Sequence, residues 1–275
     1  MRKETKHDLP IHIILILLGI LTFYPFVFTI ITSFKDNFQF VHNFWGVTWP
    51  LHLSNYKDAW SRISRYILNS GIVTTSSVFG VLLVASISAF TFARFNFPGR
   101  DLLFFAILSL LMIPGILTLV PSFLLVKRLG LLNTYWALIL PYISGGQVFG
   151  IFILRSFIAS LPEELFESAR VDGASTLQTF FSIAIPLSKP ILVTVAIMNI
   201  LGTWNDYVWP LVTIPDGRLW TITVGIVSFS SQYSGLEMWG PMFAGYVIAS
   251  IPLIILFFFT MRYFIAGLTS GALKV

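Results

Sequence analysis

Cysteine is absent from the 275 residues, which excludes a disulfide framework, a thiolate metal site and a thiol nucleophile. Charge is scarce as well: Lys, Arg, Asp and Glu make up 11% of the sequence, against about 25% in a soluble domain. So little charge cannot cover a surface that faces water on every side. The histidines His7, His12, His42 and His52 all lie in the first 52 residues and lack metal-ligand spacing. No G-x-x-x-x-G-K-[S/T] stretch occurs, so nothing cradles the phosphates of a nucleotide. Basic clusters interleaved with aromatics are missing too, and the net charge is only +5, which argues against a nucleic-acid partner. No catalytic, cofactor-binding or metal site is expected in this chain.

What is abundant is apolar surface, with 56% hydrophobic and 16% aromatic residues and a mean hydropathy of +0.84. Stretches free of Lys, Arg, Asp and Glu run 9–34, 66–93, 102–126, 129–154 and 238–261, and a sixth, 190–215, is interrupted only by Asp206. Each exceeds the about 20 residues that a helix needs to cross a bilayer. The sequence therefore predicts an all-α integral membrane protein, one transmembrane domain over 1–275. Its six spans fall near 11–33, 67–93, 102–126, 136–156, 190–212 and 242–264, with an inner loop at 160–188 and outer loops at 34–66 and 213–241. The first stretch is too long for a signal-peptide core and has no small-residue cleavage site before Phe34-Lys35, so it reads as an anchor. Cytoplasmic termini place ten Lys and Arg inside against seven outside, the sense of the positive-inside rule, although Lys127-Arg128 opposes it. Pro114, Pro141 with Gly145, Gly146 and Gly150, and Pro252 have two readings. They are ordinary membrane-helix composition, or they mark broken helices and close contacts beside a pathway.

Two short helices can be read in the 160–188 loop. Ser160 is placed as N-cap of the first, with Pro162 in its first turn and Gly173 as its stop. Ser175 caps the second, which runs through Phe180-Phe181 until Pro186. From Glu163 to Asp172 four acids stand against Arg170, a local charge of −3. Helices that rest on lipid are typically basic, so this one reads as a docking knob for a partner or as a tightly folded connection. Ala169 and Gly173 permit close approach, and Glu167 suits an arginine on a partner.

Glu167-Ser168-Ala169, three residues, Gly173, nine residues and Ile183-Ala184-Ile185-Pro186 resemble the EAA loop of ABC importer permeases. That pattern reads E-A-A, three residues, G, nine residues, I-x-L-P; Ser168 and Ile185 depart from it. Leu161-Pro162-Glu163-Glu164-Leu165, Val171-Asp172-Gly173-Ala174-Ser175, Leu201–Tyr207 and the tail Gly267–Ala272 are similar to the carbohydrate-uptake branch, in type to the second permease of maltose-type transporters. Asn69-Ser70 and Phe97-Pro98-Gly99-Arg100 agree with that branch, and the resemblance runs from Asn55 onward. It implies a type I ABC importer permease fold with cytoplasmic EAA coupling helices, working in uptake of a mono- or oligosaccharide. It also implies a second permease as heterodimer partner, two ABC ATPase subunits that carry ATP and Mg, and an extracytoplasmic solute-binding protein. The location implied is a prokaryotic cell (inner) membrane with both termini cytoplasmic. The ATPase-docking residues it assigns are Glu167, Ser168, Ala169, Asp172, Gly173, Ile183 and Pro186. A non-sugar solute, such as glycerol phosphate or a polyamine, is the alternative. An ion-coupled secondary transporter would need buried charges or an inverted repeat, and neither is evident.

Asp206 is the one acid inside a predicted span and with Trp204 and Asn205 could meet a sugar; a belt or packing role near the interface competes. Gln147 and Asn199 are weaker lining candidates. In the 213–241 loop, Pro215-Asp216-Gly217 signals a turn, and Trp220, Tyr233 and Trp239 read as belt anchors. The resemblance implies that this loop reaches the binding protein, with Asp216 and Gly217 near its tip, and that the tail from Gly267 inserts between the ATPase subunits.

Overall fold

Apolar runs and the prolines that punctuate them set the helices. The computed structural model describes residues 8–236 and 238–272, the side chains of 8, 9 and 262–272 excepted. The tail from Gly267, given a role above, lies outside the residues whose side chains are described. In chain order the helices are α1 (Asp8–Ser33), α2 (Asn37–His42), α3 (Ser54–Arg94), α4 (Arg100–Ser109), α5 (Gly115–Arg128), α6 (Trp136–Ala159) and α7 (Glu164–Val171). They continue as α8 (Thr176–Thr179), α9 (Ile185–Leu187), α10 (Lys189–Asn205), α11 (Val208–Thr213), α12 (Ile222–Gly235) and α13 (Trp239–Ala272), with no strand among the described residues. The all-helical expectation holds. Four helical stretches, Pro10–Ser33, Ser54–Arg94, Trp136–Ala159 and Trp239–Met261, are long and apolar enough to cross a membrane.

Two further segments are bent. Arg100–Met112 meets α5 at 102°, and Thr176–Leu187 meets α10 at 74°. The sequence reading took 102–126 as one run; the structure breaks it at Pro114. A residue before proline is pushed out of the helical region, and Ile113 is extended at φ −83°, ψ 115°. Pro141, in contrast, sits inside a continuous α6. Its missing N–H frees the Ala137 carbonyl, and the Trp209 indole supplies the lost donor at 2.9 Å.

The chain divides into two compact units, residues up to 64 with 225–253, and residues 65–224 with 254 onward. In the first, Asp36 and Gln39 form a reciprocal capping box at α2. Lys35 is 1% exposed, and its Nζ donates to the carbonyls of Asn43 (2.6 Å) and Phe44 (2.9 Å). Burial pushes the Lys35 ammonium below the ordinary lysine value. Phe28, Phe40, Phe44 and Phe243 pack as an aromatic cluster beside it. None of the most apolar stretch of α1 is buried within the chain, so the apolar surface of that helix is left uncovered.

In the second unit α6 is the axis. Gly146 and Gly150, one turn apart, let two helices approach closely. A Cβ at Gly150 would stand 2.9 Å from Ala85 Cβ of α3 and 3.3 Å from Val195 Cγ1 of α10. At Gly146 a Cβ would stand 2.8 Å from Val81 Cγ2 and would collide with Asn199 Oδ1. Each helix thus contributes small or branched residues four apart, Val81/Ala85, Gly146/Gly150 and Val195/Asn199, the close-packed geometry favoured in membranes.

Candidate functional site

The 160–188 loop of the second unit carries Glu163, Glu164, Glu167, Arg170 and Asp172. Ser160 does not start its first helix: it closes α6, with Oγ donating to the Phe157 carbonyl at 2.7 Å. The helix begins instead at Glu164, with Glu163 as N-cap, because three more residues are needed to turn the chain back. Its C-terminus is a Schellman motif. Ala174 N–H donates to Ala169 O (2.9 Å) and Gly173 N–H to Arg170 O (3.1 Å), with Gly173 at φ +79°. The left-handed turn explains the glycine, since a side chain there would strain the backbone. Ser175 then forms a capping box with Gln178, and a π-turn at 180–184 leads through α9.

Phe166 is the one buried side chain of α7; Glu164, Glu167, Ser168, Asp172 and Gly173 are exposed and Ala169 half-buried. Ile183 is half-buried against the Phe90–Ile158–Phe180 core, and Pro186 is exposed. Glu167, Ser168, Asp172 and Gly173 therefore form an open surface, while Ile183 sits behind it.

The proposed pathway residues are scattered. Asp206 ends α10 and holds its neighbours: Tyr142 Oη donates to its carboxylate at 2.9 Å, Trp209 N–H at 3.3 Å, and Thr223 Oγ1 to its carbonyl at 2.5 Å. Those bonds fasten the joint between α10 and α11. Asn199 donates to Val195 O at 2.9 Å within its own helix and packs on Gly146. Trp204 is buried, Asn205 is exposed and bonded to Leu201 O at 2.8 Å, and Gln147 is half-buried.

The 213–222 loop is pinned. Asn69 Nδ2 donates to Arg218 O (3.0 Å) and Trp220 O (2.9 Å), while Tyr135 Oη donates to Asn69 Oδ1 (2.8 Å). Ile222 N–H donates to Ser70 Oγ at 2.8 Å, and Asp216 N–H to Asn133 Oδ1 at 3.1 Å. Arg218, bonded to Asp216 through its side chain and its backbone N–H, holds that carboxyl down at about 2. Asp216 and Gly217 are half-buried, and Arg218 is the projecting side chain.

Residues 81–270 match the family described as binding-protein-dependent transport system inner membrane component. The chain belongs to this family. The permease is 35% identical over 276 residues to the probable ABC transporter permease YurM of Bacillus subtilis, covering 99% of this chain and 91% of that one. It is 32% identical over 278 residues to the trehalose/maltose transport permease MalG of Thermococcus litoralis, covering 100% and 99%. Its fold matches a chain of a bacterial ABC transporter that imports the acidic polysaccharide alginate, with a TM-score of 0.84, 21% identity and coverage of 96% and 100%. This is a multi-pass membrane permease of a binding-protein-dependent importer.

Sequence reasoning counted Arg94 only as an inner-side charge. In the permease it ends α3 with a side chain that is 9% exposed. Its Nη2 donates to Ile158 O (2.6 Å) and Leu161 O (2.9 Å), Nη1 pairs with Glu163, and Cζ lies 3.7 Å from the Phe166 ring centre. Glu163 receives Arg170 as well, at 3.4 Å. The only local signal was a lone arginine closing an apolar run between aromatics, and its partner acid lies 69 positions away.

Proposed function

We propose that this chain is one of two permeases of an ABC importer for sugars, most simply oligosaccharides, and that its 163–186 loop is the coupling element on which an ATPase subunit docks. The observation that carries this is the exposed acidic α7, ended by the Gly173 turn and fixed by one buried aromatic, in a chain of the binding-protein-dependent family. In this reading the α4–α5 pair and the α10 segment complete six spans, both termini are cytoplasmic, and the loop faces the cytoplasm. ATP and magnesium are bound and turned over by two partner ATPases; this chain contributes a pathway and no chemistry of its own. Closure of the ATPases displaces the paired coupling helices, and the permease pair rocks between outward and inward access. An extracytoplasmic binding protein delivers the solute, with the Asp216–Arg218 turn a candidate contact. The sugar assignment rests on likeness to relatives named for sugars.

Glu167→Arg and Gly173→Trp should each abolish co-purification of the ATPase with the permease pair; retention of full binding by both would sink the docking assignment. The solute is tested with the assembled importer and its binding protein. Oligosaccharide should stimulate ATP hydrolysis, and stimulation by glycerol phosphate or a polyamine but by no sugar would remove the sugar reading.

A further inference from the structure

One guanidinium joins three elements. Arg94 is the last residue of α3, the 41-residue helix, and reaches the end of α6, the turn after it and the first turns of α7. The Ile158 carbonyl, in the last turn of α6, also accepts the Leu161 N–H at 3.3 Å; Arg94 adds a charged donor to it and to the Leu161 carbonyl of the turn. Phe166, the sole buried residue of α7, lies under the same guanidinium and against Phe90 of α3. Glu163 completes the contact as a charge-assisted bond at the helix start. Apart from the half-buried Ala169, the rest of α7 is open. Beside the junction is an open groove of about 330 Å³ lined by Phe90, Arg94, Phe95, Phe166, Arg170 and Thr179.

We propose that Arg94 is the positioning residue that makes α7 travel with α3 and α6, so that a push on the docking helix reaches the spans. This rests on the reading of α7 as the docking helix. Energetic coupling of this kind needs a physical link between elements that move together, and a planar fork stacked on an aromatic and bonded to two helix ends is such a link. A lysine cannot reproduce it, because a point charge cannot fill two carbonyls and an ion pair while stacking.

The test uses the complete importer in liposomes, with ATPase co-purification, solute-stimulated ATP hydrolysis and uptake measured for Arg94→Met, Arg94→Lys and Glu163→Gln. Arg94→Met should keep the ATPase bound and lower uptake per ATP hydrolysed by about tenfold, Arg94→Lys should recover little, and Glu163→Gln should fall between. Because the chain has no cysteine, spin labels at Glu164→Cys and Asn96→Cys report the separation of α7 from the end of α3. That separation should stay fixed through the ATP cycle in the parent and change in the Arg94→Met background. Uptake per ATP within twofold of the parent, or an unchanged label distance, overturns the proposal. Loss of ATPase binding by Arg94→Met also overturns it, since the residue would then only hold the docking surface in shape. If Glu167→Arg and Gly173→Trp leave ATPase binding intact, the docking assignment itself fails, an outcome separate from the Arg94 measurements.

Discussion

Single side chains in this permease replace donors that the backbone has lost. Trp209 serves the Ala137 carbonyl that Pro141 leaves open. Trp209→Phe keeps an aromatic ring, a smaller one, and removes the donor, and an unsatisfied buried carbonyl costs about 1–3 kcal/mol; the expected result is a lower melting temperature in detergent, and an unchanged one would show that another donor moves in. Lys35 gives a pH dependence. Its folded value lies below the unfolded one because burial disfavours the ammonium, so between the two values the unfolded chain binds more protons and stability rises with pH. Thermal unfolding followed from neutral pH towards 10 should show this rise, and Lys35→Met should flatten it; identical profiles would refute the assignment. At this scale the sequence was partly readable. Gly173 as a helix stop and Ser175 as a cap follow from local chemistry. Asp206 was singled out as an acid in a span, and bonds with Tyr142 and Trp209, one of them 64 positions off, decide its place.

Helices in the second unit touch through their smallest residues. Gly146→Ala should drive α6 away from Asn199 and Val81 and destabilise by about 1–3 kcal/mol. Asn199→Ala should recover part of that loss in the double variant while costing little alone, a coupling that a double-mutant cycle in detergent would measure. Additive effects would place the clash elsewhere. The pinned 213–222 loop is tested by Asn69→Leu, which removes three hydrogen bonds at once. Amide exchange over Arg218–Ile222 should quicken while that of α6 stays slow; unchanged protection would mean that Ser70 and Asn133 suffice. Helix existence was legible from the apolar runs, because composition alone decides whether a segment prefers lipid. Helix breaks were less so. Pro114 and Pro141 look alike in sequence, and one bends the chain while the other is absorbed, as Pro25, Pro121 and Pro252 are in their own helices.

For the whole molecule, composition settled the solvent and the class, and a long spaced pattern settled the family. What stayed illegible was the set of junctions, such as Arg94 with Glu163 and Asn69 with Trp220, where partners are distant in sequence. The bend between α4 and α5 also constrains biogenesis. α4 has 10 residues, about 15 Å of helix, half of the about 30 Å hydrocarbon core. Read as one span, the α4–α5 pair holds the exposed Leu111–Ile113 break at membrane depth, where open backbone is tolerable only against protein or water, and the cavity of about 630 Å³ between α5 and α6 is where that cover would form. Ribosomes make α6 after α5. Read so, the third apolar run leaves the translocation machinery in a provisional shape and takes its final one once α6 has arrived.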